Sequence, residues 1–541
     1  MTRYLLLVSF AIFALALSCS TTPPASSEQD VEHGAADESM GSMESMESME
    51  HTGDEHEHGE VDFPVSCDEE AQEMIERGLA HLHHMMYDQA RPHFQTAAQA
   101  DPECAMAHWG VAMTCFQPLW APSSDEDMAL GKESVQAALE IGAPTELERG
   151  YLAAIEAFFT DPDPPAADRP ADFEARLKAW KSAQRQLHEA NPNDVDAGAF
   201  YALSEVAYAM TQFSPDTERD HTREIRAGEL LEDYFETHPK HPGLFHYLIH
   251  AYDSSELAPR ALEVAREYDQ LAPDVPHALH MPSHIFVRLG KWEETIDWNV
   301  RSAGAALENP VNGMTSLHYP HALDYMMYGY LQIGEEEKAR QTLEAVRQIE
   351  QAQPHFASAY GIAAPQARYY LEQQRWEEAA SLEGNQPDAL QWEDYPAAAA
   401  LFHYARGLGA ARSDDLEQAE AEVERIDELV QGLHDAGDRY WASMTDALSQ
   451  AVGAWVAYER GEVEEALAMM SDAADQEDSM DKHPITPGEV FPVRELYAEM
   501  LLLEGRAEEA QTALQDSLQR TPNRRNSLDA MSQLEDAVST P

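Results

Sequence analysis

A helical hairpin that returns every 34 residues restricts this chain more than any other feature. Its clearest tandem copies begin at Pro242 and Pro276, 34 residues apart. The fifth position is His246 in one copy and His280 in the next, and the ninth is His250 and His284. Residues four apart share one face of a helix, so each copy presents its two imidazoles on one side. Stacked hairpins bring equivalent positions next to each other. Apolar residues recur at steps of three and four from residue 68 onward, and no alternating strand pattern persists. The expected fold class is all-α, an α-solenoid of helical hairpins over residues 68–525.

The spacing inside a unit has a physical logic. In a unit starting at Ala71, Gly78, His81, Ala90, Phe94, Ala97 and Pro102 fall at positions 8, 11, 20, 24, 27 and 32. Small residues at 8 and 20 let two antiparallel helices touch, a large residue at 24 fills the gap, and proline at 32 ends the second helix. Partial copies follow. Ala227 and Pro239 fit a unit from about 208, and Tyr252, Ala261, Tyr268 and Pro273 fit 242–275. Phe286 fits 276–309, and Tyr330 with Ala339 fits a unit from Pro320. Gly407 with Ala419, Ala454 with Ala466, and Ala498 with Ala510 mark three more. This spacing resembles the tetratricopeptide repeat. Residues 277–292, 104–114 and 494–524 resemble stretches of bacterial tetratricopeptide proteins of an exported lipoprotein type. The resemblance implies the fold and no activity. Between 116 and 207 the register is weaker and reads as extra hairpins with Pro-rich loops. Residues 526–541 are expected to fray.

The start of the chain reads as an export signal. Arg3 precedes an apolar run, Tyr4 to Leu17, too short to span a bilayer comfortably. Residues 1–18 would be the signal peptide, and Ala16-Leu17-Ser18 before Cys19 resembles a lipoprotein cleavage site with Cys19 acylated. Ser20 after it suits the outer membrane in such lipoproteins. The expected location is periplasmic, held to the outer membrane through the lipid alone. Residues 19–62 are acidic and Ser-, Met- and His-rich, with no Lys or Arg between 20 and 62, and read as a disordered tether. Inside it Met40, Met43, Met46 and Met49 precede His51, His56 and His58, soft and borderline donors that suit copper or zinc. In an oxidising compartment Cys67 and Cys104, flanking the first hairpin, are the expected disulfide.

In tetratricopeptide proteins, positions 2, 5, 9, 12 and 13 of the first helix line the concave surface. Carried over, that resemblance assigns a ligand groove to His246, His250, Asp253, His277, His280, His284, Arg288, His321, Asp324 and Tyr328. Neighbouring helices pack roughly 8–10 Å apart, so two imidazoles on adjacent helices can share one ion, whereas helices two repeats apart, about 20 Å, cannot. A metal site would join His246 and His250 with His280 and His284, or the latter pair with residues 321 and 324. Pro282 interrupts the helix that carries them.

With 99 acidic against 35 basic residues, a net charge of −64, the surface repels nucleic acid and anionic lipid. No phosphate-binding Gly-rich loop, Gly-x-Ser-x-Gly, Cys-x-x-Cys or His-Glu-x-x-His is present. The expected function is a binding platform for an envelope protein or peptide, with no cofactor assigned beyond the copper or zinc of one alternative. The alternatives are a copper or zinc site built from the histidines and a metal-dependent enzyme assisted by Tyr328 or Asp253. A last reading has these histidines simply bonding neighbouring carbonyls and carboxylates.

Overall fold

The computed structural model describes residues 58–120, 122–212 and 220–539. The signal peptide, Cys19, Met40, Met43, Met46, Met49, His51 and His56 lie outside them. The described chain is all-α, with isolated bridges at Val311–Met314 and Thr315–Ala352 as its only β pairing. No helix among the described residues is long and apolar enough to cross a membrane.

Helices follow one another as antiparallel hairpins. The first four pair α1 (Glu69–His83) with α2 (Tyr87–Ala100), α3 (Ala105–Thr114) with α4 (Asp125–Ile141), α5 (Glu146–Phe159) with α6 (Arg169–Ala190), and α7 (Val195–Met210) with α8 (Thr222–Phe235). Next come α9 (Pro242–Ala251) with α10 (Ala258–Glu267), then α11 (Pro276–His280) and α12 (Pro282–Arg288) together against α13 (Trp292–Glu308). The rest are α14 (His318–Ile333) with α15 (Glu336–Arg347), α16 (Phe356–Leu371) with α17 (Trp376–Ala380), α18 (Pro396–Ala411) with α19 (Leu416–Asp435), α20 (Arg439–Glu459) with α21 (Val463–Asp478), and α22 (Val493–Leu503) with α23 (Ala507–Arg520). α24 (Arg525–Ser539) closes the array.

The small-and-large spacing acts as the sequence implies. Phe94 is fully buried, and a Cβ on Gly78 would stand 3.0 Å from its ring, while one on Gly110 would fall inside it. At Gly361 the backbone of Pro320 would meet a Cβ at 2.6 Å, so α16 reaches α14 only through a glycine. One expected unit is shifted. Ala227 does sit in the second helix of its hairpin, but the first is α7, starting at Val195 instead of near 208. α7 ends at Met210 and α8 begins at Thr222, farther apart in sequence than the repeat allows.

The solenoid curls until distant repeats touch. Gln353 Nε2 donates to Asp88 at 2.9 Å, and Trp292 Nε1 donates to Asn523 O at 2.9 Å. Arg524, fully buried, bonds Tyr328 Oη (2.8 Å), Glu495 (2.7 Å) and Glu372 (3.0 Å). Residues 526–536, expected to fray, lie in α24, where Ser527 is buried and donates to Glu495. A helix that covers a buried arginine has a reason to stay folded. The end of the expected tether also packs. Glu60 N donates to Lys240 O at 2.9 Å, and His58 O receives a bond from His84.

Between α21 and α22, residues 479–492 run through the hollow of the superhelix. Tyr325 Oη donates to Pro484 O and Thr486 O, and Arg368 to Glu489 O and Gly488 O. The inner helices are therefore largely buried. Every residue of α9 is buried, which an open groove would not allow.

Candidate functional site

Three consecutive inner helices carry the histidines: α9 bears His246 and His250, α11–α12 bears His277, His280 and His284, and α14 bears His318 and His321. Nine of the ten groove residues are at most 8% exposed, and the side chain of the tenth, Asp253, is 4% exposed. The expected solvent-lined groove is corrected to a closed interior. Pro282 splits the middle helix. It cannot donate to Ala278 O, yet Met281 stays in the right-handed helical region and the axis continues. Ser283 Oγ donates to the carbonyl of His280 at 2.6 Å just where the ladder breaks.

His280, His284 and His321 form one triad, with one donor atom from each ring all within 4.8 Å of one another. The orientation of the first two rings is settled by what lies behind them. His280 Nδ1 stands 2.7 Å from Asn299 Oδ1, and Asn299 Nδ2 donates to Thr295 O at 2.7 Å, which fixes the amide oxygen toward the ring. His280 Nδ1 therefore carries the proton. His284 Nδ1 stands 2.9 Å from Asp253 Oδ2, a carboxylate that only accepts, so His284 Nδ1 carries its proton too. The two Nε2 atoms then face each other at 3.0 Å with a lone pair on each. Burial, then the neighbouring His321 and His284, push His280 well below the usual imidazole range, so a shared proton is disfavoured. His321 Nδ1 is buried without a hydrogen-bond partner.

Asp253 does more than face His284. It accepts from Arg288 Nε (2.9 Å) and Lys482 Nζ (3.1 Å), and Arg288 also reaches Asp481 (3.3 Å). Burial disfavours this carboxylate's charge, but Lys482, Arg288 and His284 outweigh it and hold Asp253 well below the carboxylate range. Burial brings Lys482 down to about 8. The loop that fills the hollow thus locks the carboxylate that orients His284.

A second triad, His246, His250 and His277, has its donor atoms within 4.8 Å as well. His246 Nδ1 donates to His83 O at 2.6 Å, and its Nε2 lies 3.2 Å from His250 Nε2. Neither ring nitrogen of His277, 2% exposed, has a hydrogen-bond partner. A third cluster joins His83 (2.7 Å) and His241 (3.1 Å) through Asp196 Oδ1, with Tyr247 Oη on His83 Nδ1 at 3.0 Å. There both rings donate to one carboxylate, and the bonding is internally satisfied apart from His241 Nδ1.

Several expectations land elsewhere. The pairing of His246 and His250 with His280 and His284 in one shell is replaced by two adjacent triads. Asp324 joins neither; it faces Arg368 Nε at 3.5 Å, and burial lifts it to about 6. Tyr328 Oη accepts from Arg524, away from the histidines. Tyr328 and Asp253 are each engaged by buried cations, Arg524 on the first and Arg288 and Lys482 on the second. Cys67 and Cys104 are joined as a disulfide, Cα atoms 5.1 Å apart. Among the tail donors only His58 is described, 4.6 Å from the His81 ring. Sequence reasoning missed Asn299, Lys482 and Tyr325, whose ring stands edge-on to His280 at 4.5 Å. It also missed His318 and Trp120, whose rings lie 5.1 and 5.2 Å from His277. Tyr325 follows Asp324 by one residue, so the helical position read as liganding was one step off.

No family model and no curated protein matches this chain. Among solved structures it is similar to yeast Tom70, at 12% identity and a TM-score of 0.33, covering 86% of this chain and 95% of that one. It is also similar to the human IFIT1 dimer with m7Gppp-AAAA, at 12% identity and 0.34, covering 88% and 96%. The TPR domain of P58(IPK) matches at 10% identity and 0.21, covering 87% and 99%.

Proposed function

We propose that this protein binds a transition-metal ion at His280, His284 and His321, inside an exported α-solenoid. One observation carries the reading: two imidazole lone pairs face each other 3.0 Å apart, with both Nδ1 protons committed to Asn299 and Asp253. Neutral rings held that way repel, whereas a cation between them is ligated by both. A carboxylate or amide behind the far nitrogen is the usual means of aiming a metal-binding histidine. With imidazole donors and no carboxylate among them, zinc, copper, nickel and ferrous iron fit, and magnesium and calcium do not.

The chain used to test this keeps its full length but has Met40, Met43, Met46, Met49, His51 and His56 changed to alanine. It should retain stoichiometric zinc or copper through gel filtration. His284→Ala should remove that ion while the helical spectrum persists. Unchanged metal retention in His284→Ala would sink the reading.

Export and attachment at Cys19 form part of the same proposal, and the Cys67–Cys104 disulfide supports an oxidising compartment. A binding-platform role is favoured on the outer surface, where carboxylates such as Glu336, Glu337, Glu424 and Glu428 are exposed. That surface suits a basic envelope protein or peptide. The hollow is filled by residues 479–492, so a peptide would dock outside it.

A further inference from the structure

The second triad is built from three imidazoles, as the first is, and stands against it. Resting on the metal reading above, we infer that His246, His250 and His277 hold a second transition-metal ion, so that the interior contains an all-imidazole two-ion centre. Three observations converge. His246 Nδ1 is committed to a carbonyl that only accepts, His83 O at 2.6 Å, which leaves its Nε2 lone pair turned toward His250 Nε2 at 3.2 Å. His277 is buried with both ring nitrogens unpartnered, although a buried imidazole ordinarily bonds at least one. A metal on one nitrogen removes that deficit, and the ligating atoms of the three rings already lie within 4.8 Å of each other.

The two triads share a wall. His277 and His280 are one turn apart on α11, their ring centroids separated by 6.0 Å, and the rings of His250 and His284 lie 5.7 Å apart across α9 and α12. Ions seated in both triads are neighbours, close enough for their unpaired electrons to interact. The donor set matters here. Two cations side by side would normally be offset by bridging carboxylates, yet Asp253, the carboxylate bonded to His284, is spent on Arg288, Lys482 and that ring. Uncharged imidazoles alone favour ions that bind nitrogen strongly. Copper stands highest in that order, which makes it the probe.

The full chain with the six tail substitutions is loaded with excess Cu(II), desalted, and examined for copper content and by electron paramagnetic resonance. The expected result is two coppers per chain and a half-field transition from coupled Cu(II) pairs. His277→Ala should lower the content to one and abolish the half-field line, leaving an ordinary mononuclear spectrum. One copper per chain in the unsubstituted triads overturns the two-ion centre while leaving the first site standing. Two coppers without a half-field line overturn their pairing. Loss of all copper in His284→Ala but none in His277→Ala assigns the ion to the first triad alone and also overturns this inference. No copper at all defeats the metal reading itself. The stoichiometry and spectrum of the parent chain need no variant, so a misfolded His277→Ala protein does not shelter the claim.

Discussion

Asn299→Ala separates a metal-aiming role from a packing role. In the parent chain Asn299 Oδ1 accepts from His280 Nδ1 at 2.7 Å and so turns the Nε2 lone pair toward His284. Without that acceptor the proton can move to Nε2 and be donated to His284 Nε2, satisfying the empty pair. The apo fold then loses the two hydrogen bonds of the Asn299 amide and gains one. With a small cavity at a fully buried site, the net cost should stay within about 1 kcal/mol. The metal-bound state gains nothing in return, because the ring must revert to the less stable tautomer before it can ligate. Removing such an orienting partner ordinarily costs 10- to 100-fold in affinity, about 1.4–2.7 kcal/mol. Asn299→Asp keeps an acceptor at the same place and should recover affinity to within a few-fold. Chelator competition for zinc measures the first quantity, and urea melts of the apo protein the second. Unchanged affinity with a stability loss of about 2–3 kcal/mol would show that the Asn299–His280 bond is structural and that the lone-pair argument is wrong.

Other outcomes follow from the same geometry. Arg524→Met should destabilise the protein by about 3–5 kcal/mol in urea, because Glu372 and Glu495 would remain buried without their cation. The Cys67–Cys104 bond closes a separation of 37 residues, and on chain entropy its reduction should cost about 4 kcal/mol, read as earlier melting of the first hairpin with metal content unchanged. Acid should unfold the protein steeply. Burial lowers His83 to about 4, His355 to about 4 and His483 to about 3. Unfolded histidine titrates near 6.5, so the unfolded chain takes up close to three more protons at pH 5 on these residues alone. Their contribution is complete above pH 6.5 and falls as pH drops, with a slope of about 4 kcal/mol per pH unit near pH 5. A flat stability curve between pH 6.5 and 4.5 would contradict their burial as neutral rings.

The repeat made most of the architecture legible, and part of the centre with it. A four-residue step places His246 with His250 and His280 with His284 on common faces whatever the tertiary fold, and the 34-residue period sets the two pairs on neighbouring helices. What the period does not carry is how far the superhelix curls. Here it closes until α24 meets α14 and residues 479–492 enter the hollow, so a face read as open to ligands becomes interior. Closure also decides which side of α14 matters. His321 turns to His280, 4.2 Å between ring centroids, whereas Asp324 and Tyr328 turn to Arg368 and Arg524. Asn299 sits on an outer helix, and Lys482 lies some two hundred residues from the carboxylate it holds; neither is within reach of a periodicity argument. The same closure bears on function. A solenoid that needed only to display a surface could leave its hollow wet. This one brings together seven histidines, three of which (His277, His318 and His321) keep ring nitrogens without a hydrogen-bond partner, and surrounds them with an arginine, a lysine and two filled cores. Polar groups so enclosed are retained at a cost in stability unless something they bind returns it. A chain rid of metal should therefore melt lower and exchange the amides of α9, α11 and α12 faster than the loaded one, with α6, packed on α5 and α7, and α19, packed on α18 and α20, unaffected. Uniform exchange in both states would mean that the histidines are self-sufficient.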